Sequence, residues 1–409
     1  MIGWNFPLNN DGENDGLNDA GIETYSGAPI KSLAREVIQN SLDAAEDLKN
    51  NPVIVDFNLS YFNRNDIPGI EDYKNILKAC YDFGKGIEKT KRFFEKALDI
   101  VGKSKIPVLR ISDFNTTGLT GAGKDGLNNW NNLIKGNGVS NKHVGAGGSF
   151  GIGKQAPYAC SNLRTVFYVT KDINGTEAYQ GNAKLITHKK KSGEKTQGTG
   201  YYGIKNGNKP VLNFNELPNN FYQREKIGTD IYVFAFIEND EWMGNIIKSV
   251  LEHFLVAIYR GDLIVNVGDE KIESNNLEKL INRYISDDND YYADKYYKTL
   301  ISEESFFFEK ENFEKLGDLK FYLLPNKNFP KRVAMVRDTG MKIFDKGHFR
   351  TPKKFAGVFM AEGENLNELL RKMEPPSHDA WEPIRHPDKD KASKIKDKIY
   401  KWLNEKVGS

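Results

Sequence analysis

Glu36, Asn40 and Asp43 stand at i, i+4 and i+7 in the stretch REVIQNSLDAAED (35–47). At about 100° per residue this spacing gathers a carboxylate, a carboxamide and a second carboxylate into one narrow sector of a helix. Ala34, Val37, Ile38, Leu42, Ala44 and Ala45 fill the broad adjoining arc. The apolar arc can pack on a sheet while the three polar residues look into a neighbouring cavity. A solvated polar stripe has the same spacing, so the helical wheel alone leaves both readings open. An Asn inside a helix is mildly unfavourable, which points to a role. Oxygen-bearing side chains beside an apolar face suit a hard divalent cation and a water nucleophile. A carboxamide oxygen can ligate Mg²⁺, and a carboxylate can polarise a water.

Three later segments add to this chemistry. RISDFNTTGLTG (110–121) ends an apolar run at Asp113 and enters a loop holding Gly118. A carboxylate there can accept a hydrogen bond from an exocyclic amine such as that of adenine; a turn-starting Asp is the plainer alternative. GAGGSFGIGKQAPYAC (145–160) places Gly145, Gly147, Gly148, Gly151 and Gly153 ahead of a helix. Backbone N–H groups of such a loop approach phosphate closely, helped by the helix N-terminus. It is not a Walker loop, because Gly153-Lys154 is followed by Gln155, and it lacks the Rossmann layout. GTDIYVFAF (228–236) opens a strand with Gly228-Thr229, a hydroxyl beside a close backbone approach.

The elements that must position these groups are legible from periodicity. Strands are expected over 52–62, 106–114, 164–171 and 228–237, and helices over 32–49, 71–100 (broken near Gly84 and Gly86) and 243–261. Residues 115–153 read as a long loop. HKKKSGEK (188–195) reads as a solvated hairpin tip or a phosphate contact. GDLIVNVGDEKI suggests a hairpin about Gly268-Asp269, and DLKFYLLPN and KRVAMVRDTGMKIF are strand-like. A domain boundary is placed near 240–260. The resulting division is an N-terminal arm (1–31), an α/β domain (32–240), a second α/β domain (241–388) and a C-terminal helix (389–409).

Composition bounds the function classes. The 409 residues are 39% apolar and 28% charged, which suits two or three packed domains. A net charge of +2 gives no global field for nucleic acid or membrane, although a local basic groove is not excluded. Cys80 and Cys160 are too few for a disulfide scaffold or a metal cluster and fit a reducing compartment. The N-terminus lacks a basic region followed by an apolar stretch, and FLVAIY (254–259) is too short to span a bilayer. The expectation is a soluble, cytoplasmic protein without membrane partners.

In order, these motifs resemble the boxes of the GHKL ATPase superfamily, which carries the Bergerat nucleotide-binding fold. EVIQNSLDA looks like the first box of MutL-type mismatch-repair ATPases and type II topoisomerases. GGSFGIGKQAPYA is similar to the glycine box of the dimeric heat-shock chaperone ATPases, and GTDIYVF matches the last box. The resemblance covers about residues 30–237. It implies an α+β chain: a Bergerat-fold α/β sandwich ATPase domain followed by a transducer-like βαβ domain. It implies ATP and Mg²⁺ as cofactors. Glu36 would be the general base or water-orienting carboxylate, Asn40 the Mg²⁺ ligand, and Asp43 an organiser beside the triphosphate. Asp113 would bind the adenine amine, with Thr229 sharing a water. Gly118 lies at the start of the lid (118–150); Gly148, Ser149, Gly151 and Gly153 would cradle the phosphates. Lys154 either adds charge there or is a surface lysine. One departure stands out: the second box usually reads Asp-x-Gly-x-Gly, whereas DFNTTGL has Asn115 at the first Gly and Gly118 one residue late.

The same resemblance implies that a transducer lysine reaches the γ-phosphate. Lys342 is the candidate and Arg337 the second. In dimeric relatives an N-terminal arm crosses to the partner, so 16–27 with Tyr25 could do so, or could pack over its own domain. MEPPSHDAWEP (373–383) reads as a rigid docking segment. Histidine kinases share the fold, but their first box normally has the Asn without this Glu and Asp-Ala pattern. The expected activity is ATP hydrolysis by an ATP-dependent homodimeric clamp or switch. It would act with a separate effector protein, with DNA as a possible partner, in DNA processing or antiviral defence. A chaperone-like remodelling ATPase and an ATP-sensing scaffold with little turnover are the alternatives, with a protein kinase behind them.

Overall fold

A computed structural model describes residues 1–48, 50–136, 153–286 and 288–408. The first part of the chain runs β1 (Ile2–Asn5), α1 (Ala20–Glu23), α2 (Pro29–Asp43), β2 (Val53–Asn63), α3 (Ile70–Gly84), α4 (Glu88–Gly102), β3 (Lys105–Phe114) and α5 (Asn129–Ile134). It continues through α6 (Ala156–Ala159), β4 (Thr165–Lys171), β5 (Glu177–Lys184), β6 (Thr199–Ile204), β7 (Gly228–Phe234), α7 (Trp242–Tyr259), β8 (Leu263–Val267) and β9 (Glu270–Ile272). The strands form one nine-stranded sheet, in the order β1-β6-β5-β4-β7-β3-β2-β8-β9. Its β2–β8 pair is parallel and its β2–β3, β3–β7 and β4–β7 pairs are antiparallel.

The period of two in the strands sorts the side chains into two cores. Val53, Val55 and Phe57 of β2, Leu109 and Ile111 of β3 and Val233 of β7 share one core with Leu33, Ala34, Val37 and Ile38 of α2 and with α7. Ile106 and Val108 of β3, and Tyr232 and Phe234 of β7, join the opposite core with Tyr73 and Leu77 of α3 and Phe94 and Ala97 of α4. Helix α2 starts at Pro29, which needs no N–H in the first turn. It stops at Asp43, short of the expected 49, because Ala45 forms a bridge with Thr116 instead.

The remainder folds as α8 (Leu277–Tyr284), α9 (Ala293–Ile301), β10 (Phe306–Phe313), β11 (Gly317–Pro325), β12 (Arg332–Val336), β13 (Lys342–Lys346), β14 (Phe355–Glu362), α10 (Glu364–Arg371) and α11 (Lys389–Gly408). A second sheet, ordered β10-β11-β14-β12-β13, holds its five strands. The β12–β14 pair is parallel, while β11–β14 and β12–β13 are antiparallel. Helix α11 covers one face, with Ile395, Ile399, Trp402 and Leu403 in a core that includes Phe321 and Phe359. The other face supplies Val336, Ala356 and Val358 to the same core as α2 and α7. The chain is therefore mixed α+β, and α7 is a layer shared by both sheets.

Three expectations are revised by this packing. Residues 263–272 were expected with the C-terminal unit, yet β8 and β9 extend the first sheet. The arm of 1–31 is not a separate unit but packs over its own domain, one of its two expected readings: β1 pairs with β6, and Trp4, Phe6, Leu17, Ile22 and Tyr25 are buried. The stretch 115–153 is not all loop, since it includes α5. Among the described residues no helix is long and apolar enough to cross a membrane.

Phe254 is wholly buried in the α7 layer common to the two sheets. Phe254→Ala is expected to lower stability by about 3–5 kcal/mol. A drop in the denaturant midpoint, read by both near- and far-UV circular dichroism, checks it.

Candidate functional site

Asp113 stands at the end of β3, half-buried and facing α2. Its Oδ1 accepts the Thr229 N–H at 2.7 Å and the Thr116 hydroxyl at 3.0 Å. Its Oδ2 accepts the Ser41 hydroxyl of α2 at 3.0 Å. A carboxylate offers about four lone-pair sites, so three protein donors leave about one for a ligand. Loss of solvent raises the pKa of Asp113; the Arg224 charge, the Thr229 N–H and the two hydroxyls pull the other way.

The strand partner is fitted closely to this carboxylate. Gly228 has φ +145°, and a Cβ there would lie 2.2 Å from the Asp113 carbonyl oxygen. Only glycine allows that approach. The Thr229 hydroxyl lies 3.1 Å from that of Thr170, which donates to the Gly228 carbonyl and accepts the Leu119 N–H. The loop after Asp113 is pinned at both ends. Thr117 N–H donates to Ala44 O at 2.9 Å, and Ile173 N–H to Thr117 O at 2.9 Å. Asn115, in place of the usual glycine, takes φ +61° and donates its side-chain amide to Pro52 O at 2.7 Å. Asn tolerates the left-handed region better than other side-chain-bearing residues, so the substitution keeps a glycine-like turn. Gly118 also takes positive φ, +65°, and packs against the Lys171 carbonyl, which a Cβ would meet at 2.6 Å.

On α2, around Ser41, Glu36 is buried, Asn40 is exposed and Asp43 is half-buried. Gly153 lies directly over the Glu36 carboxylate, where a Cβ would stand 2.2 Å from Oε2. The buried Tyr25 hydroxyl has its pKa raised by burial and by the Glu36 charge. Lys154 donates to Asn132 O at 3.0 Å and to Gly136 O. Burial, and then the neighbouring Lys184, push its pKa down to about 8. The expected phosphate residues Gly148, Ser149 and Gly151 lie outside the described residues.

Lys342 occupies a different environment. It is buried at the start of β13, paired with Glu252 of α7 and with Asp345 at 2.9 Å. Burial lowers its pKa, but Glu252 and Asp345 outweigh this and raise it. Tyr296 O–H donates to Asp345 at 2.5 Å. Lys342, with Glu252, His253, Tyr292 and Arg332, lines a cavity of about 520 Å³. Arg337 forms a buried ion pair with Glu374 and lies within the electrostatic reach of Asp43. The 373–383 segment packs on its own chain. Arg35 of α2 donates to Ser377 O at 2.7 Å and to His378 O, and Trp381 is buried under α11. The stretch of α2 that holds Glu36 is thus tied to the second sheet's unit.

Ser41, Thr116, Thr170 and Arg224 were missed by sequence reasoning. Ser41 follows Asn40 directly, but hydroxyls are common on helix faces. Arg224 had no signal beyond its distance of six residues from Asp230. Its side chain is fully buried and bonds Asp230 at 2.8 and 3.0 Å, while Nη2 also donates to the carbonyls of Asp113 (2.8 Å) and Thr229 (3.1 Å). It clamps the two site strands together. Comparison with protein-family models finds no match, and comparison with curated proteins finds none.

Arg224→Met leaves the Asp230 carboxylate buried and unpaired. It is expected to cost about 3–5 kcal/mol, with most of that recovered in Arg224→Met/Asp230→Leu. Urea unfolding of both variants checks this.

Proposed function

We propose that this chain is a Mg²⁺-dependent ATPase of the GHKL type, built on a Bergerat-like sandwich and a transducer-like second sheet. It works as an ATP-operated dimerising switch with a separate effector protein, in DNA processing or antiviral defence. The observation that carries the reading is the convergence on Asp113. Ser41 from the Glu36–Asn40–Asp43 helix and Thr229 from the Gly-Thr strand both bond this carboxylate. That residues far apart in sequence meet at one carboxylate supports the reading.

Each residue has a chemical task in this reading. Asp113 keeps about one acceptor position, which suits the adenine amine. Thr170 fixes the Thr229 hydroxyl beside it. Glu36 is buried against Gly153, where it can orient a water and take its proton. Asn40, exposed on the same helix sector, would supply the neutral oxygen ligand for the cation. Bound Mg²⁺-ATP supplies the electrophilic phosphorus, with the metal neutralising developing charge. Lys154, with its lowered pKa, becomes fully protonated beside a phosphate. Arg35 and the Lys342–Glu252 pair connect α2 and α7 to the second sheet, a route by which nucleotide occupancy moves that unit.

Purified protein is expected to hydrolyse ATP with Mg²⁺. Glu36→Ala should lower turnover by about 10²–10⁴-fold while ATP binding persists. Asn40→Ala should lower turnover and weaken its Mg²⁺ dependence. Phosphate release, measured with and without DNA, gives the answer; absence of ATP binding by the wild-type protein overturns the reading.

A further inference from the structure

The outer strand of the smaller sheet is guarded by the charged Glu309–Lys310–Glu311 run and by an irregularity between Lys310 and Phe313, but its first three residues carry neither device. Among the described residues β10 pairs with β11 alone, along one side. Its eight residues read FFFEKENF. Phe306 is 55% and Phe307 48% exposed, and Phe308 is half-buried. Exposed edges are normally short, charged or covered, because their free N–H and C=O groups recruit another strand. Here three consecutive phenylalanines accompany that free edge. The Phe307 ring extends the apolar surface onto Tyr322, 4.8 Å away.

We propose that β10 is the contact with a second copy of this chain. The two strands pair antiparallel about a two-fold axis at Phe307 and join the five-stranded sheets edge to edge. A two-fold axis normal to a sheet leaves every side chain on its own face. Only registers that oppose residues of the same face are therefore open. The register centred on Phe307 opposes Phe307 to the partner's Phe307, and Phe306 to the partner's Phe308 on both sides of the axis. Centring on Phe308 sets Phe307 against Glu309, and centring on Glu309 sets two like charges face to face. Aromatic matching, with like charges kept apart, thus selects one self-paired register. A foreign strand would have to supply the same run of phenylalanines, whereas a second copy carries it already.

This contact is independent of nucleotide. β10 and β13, which carries Lys342, lie at opposite edges of the sheet. The test is sedimentation of the full chain without ATP, over a wide concentration range. A reversible dimer is expected, with Phe307→Lys raising its Kd more than about tenfold while the unfolding midpoint, measured at concentrations well below the wild-type Kd, stays unchanged. Phe307→Cys should form a covalent dimer on mild oxidation. Directly opposed Cα atoms in an antiparallel pair are about 4.5–5.5 Å apart, within the disulfide range of about 4.4–6.8 Å. Glu311→Cys should not. Cys80 and Cys160 are buried and do not compete. A monomer at every concentration overturns the proposal. So does a dimer indifferent to Phe307→Lys, or equal cross-linking through Glu311→Cys.

Discussion

A carboxylate withdrawn from water must be met by donors or opposite charge, or it takes up a proton. Asp113 meets that demand from three directions: Thr229 N–H from β7, the Thr116 hydroxyl from its own loop, and Ser41 from α2. Satisfying one group therefore fixes the relative positions of a helix, a strand and a loop. The Asp230–Arg224 ion pair stands behind it, and the same guanidinium holds the Asp113 and Thr229 carbonyls. Gly228 has no side chain because the Asp113 carbonyl occupies that space. The site's geometry is thus set by electrostatic accounting as much as by apolar packing.

The same helix faces two ways. Its apolar arc joins the core with α7, which also receives the second sheet. Its Arg35 holds the backbone of the Ser377–His378 turn, and that turn is braced by the Arg337–Glu374–His378 cluster. A displacement of α2 at Glu36 must strain these contacts or carry the turn with it. Packed interfaces of this kind tend to switch between discrete arrangements rather than deform continuously. The structure offers a mechanical path from the proposed nucleotide site to the second unit. Lys342 sits on the parallel path through α7, its charge held by Glu252 and Asp345.

Local pattern made much of the fold legible. The period-two runs of β2 and β3, the break between α3 and α4 at Gly84, and the β8–β9 hairpin at Gly268 follow from side-chain alternation and turn chemistry. Pairing was less legible, because it is non-local. Nothing in 263–272 announces that β8 lies parallel to β2, and the Asn- and Gly-rich first residues hid a buried edge strand anchored by Trp4 and Phe6. In the site, Asp113 and Thr229 could be named because motif order places them. Arg224 and Thr170 could not, since their roles depend on which strands become neighbours. Asn115 looked like a departure, yet its positive φ gives the loop the turn that glycine would have given.

In the proposed function the Asp113 carboxylate accepts from the adenine amine, and base discrimination tests that role most directly. Inosine triphosphate has a carbonyl oxygen where ATP has the amine. Equilibrium binding of the two nucleotides to the same protein, with Mg²⁺, confines the change to that edge of the base, where N1 also turns from acceptor to donor. A hydrogen bond to a charged partner is worth about 1.5–3 kcal/mol, so ATP is expected to bind at least about tenfold more tightly. Asp113→Asn should erase the difference. Equal affinity for the two nucleotides in the wild-type protein would contradict the assignment of Asp113 and, with it, the proposed site.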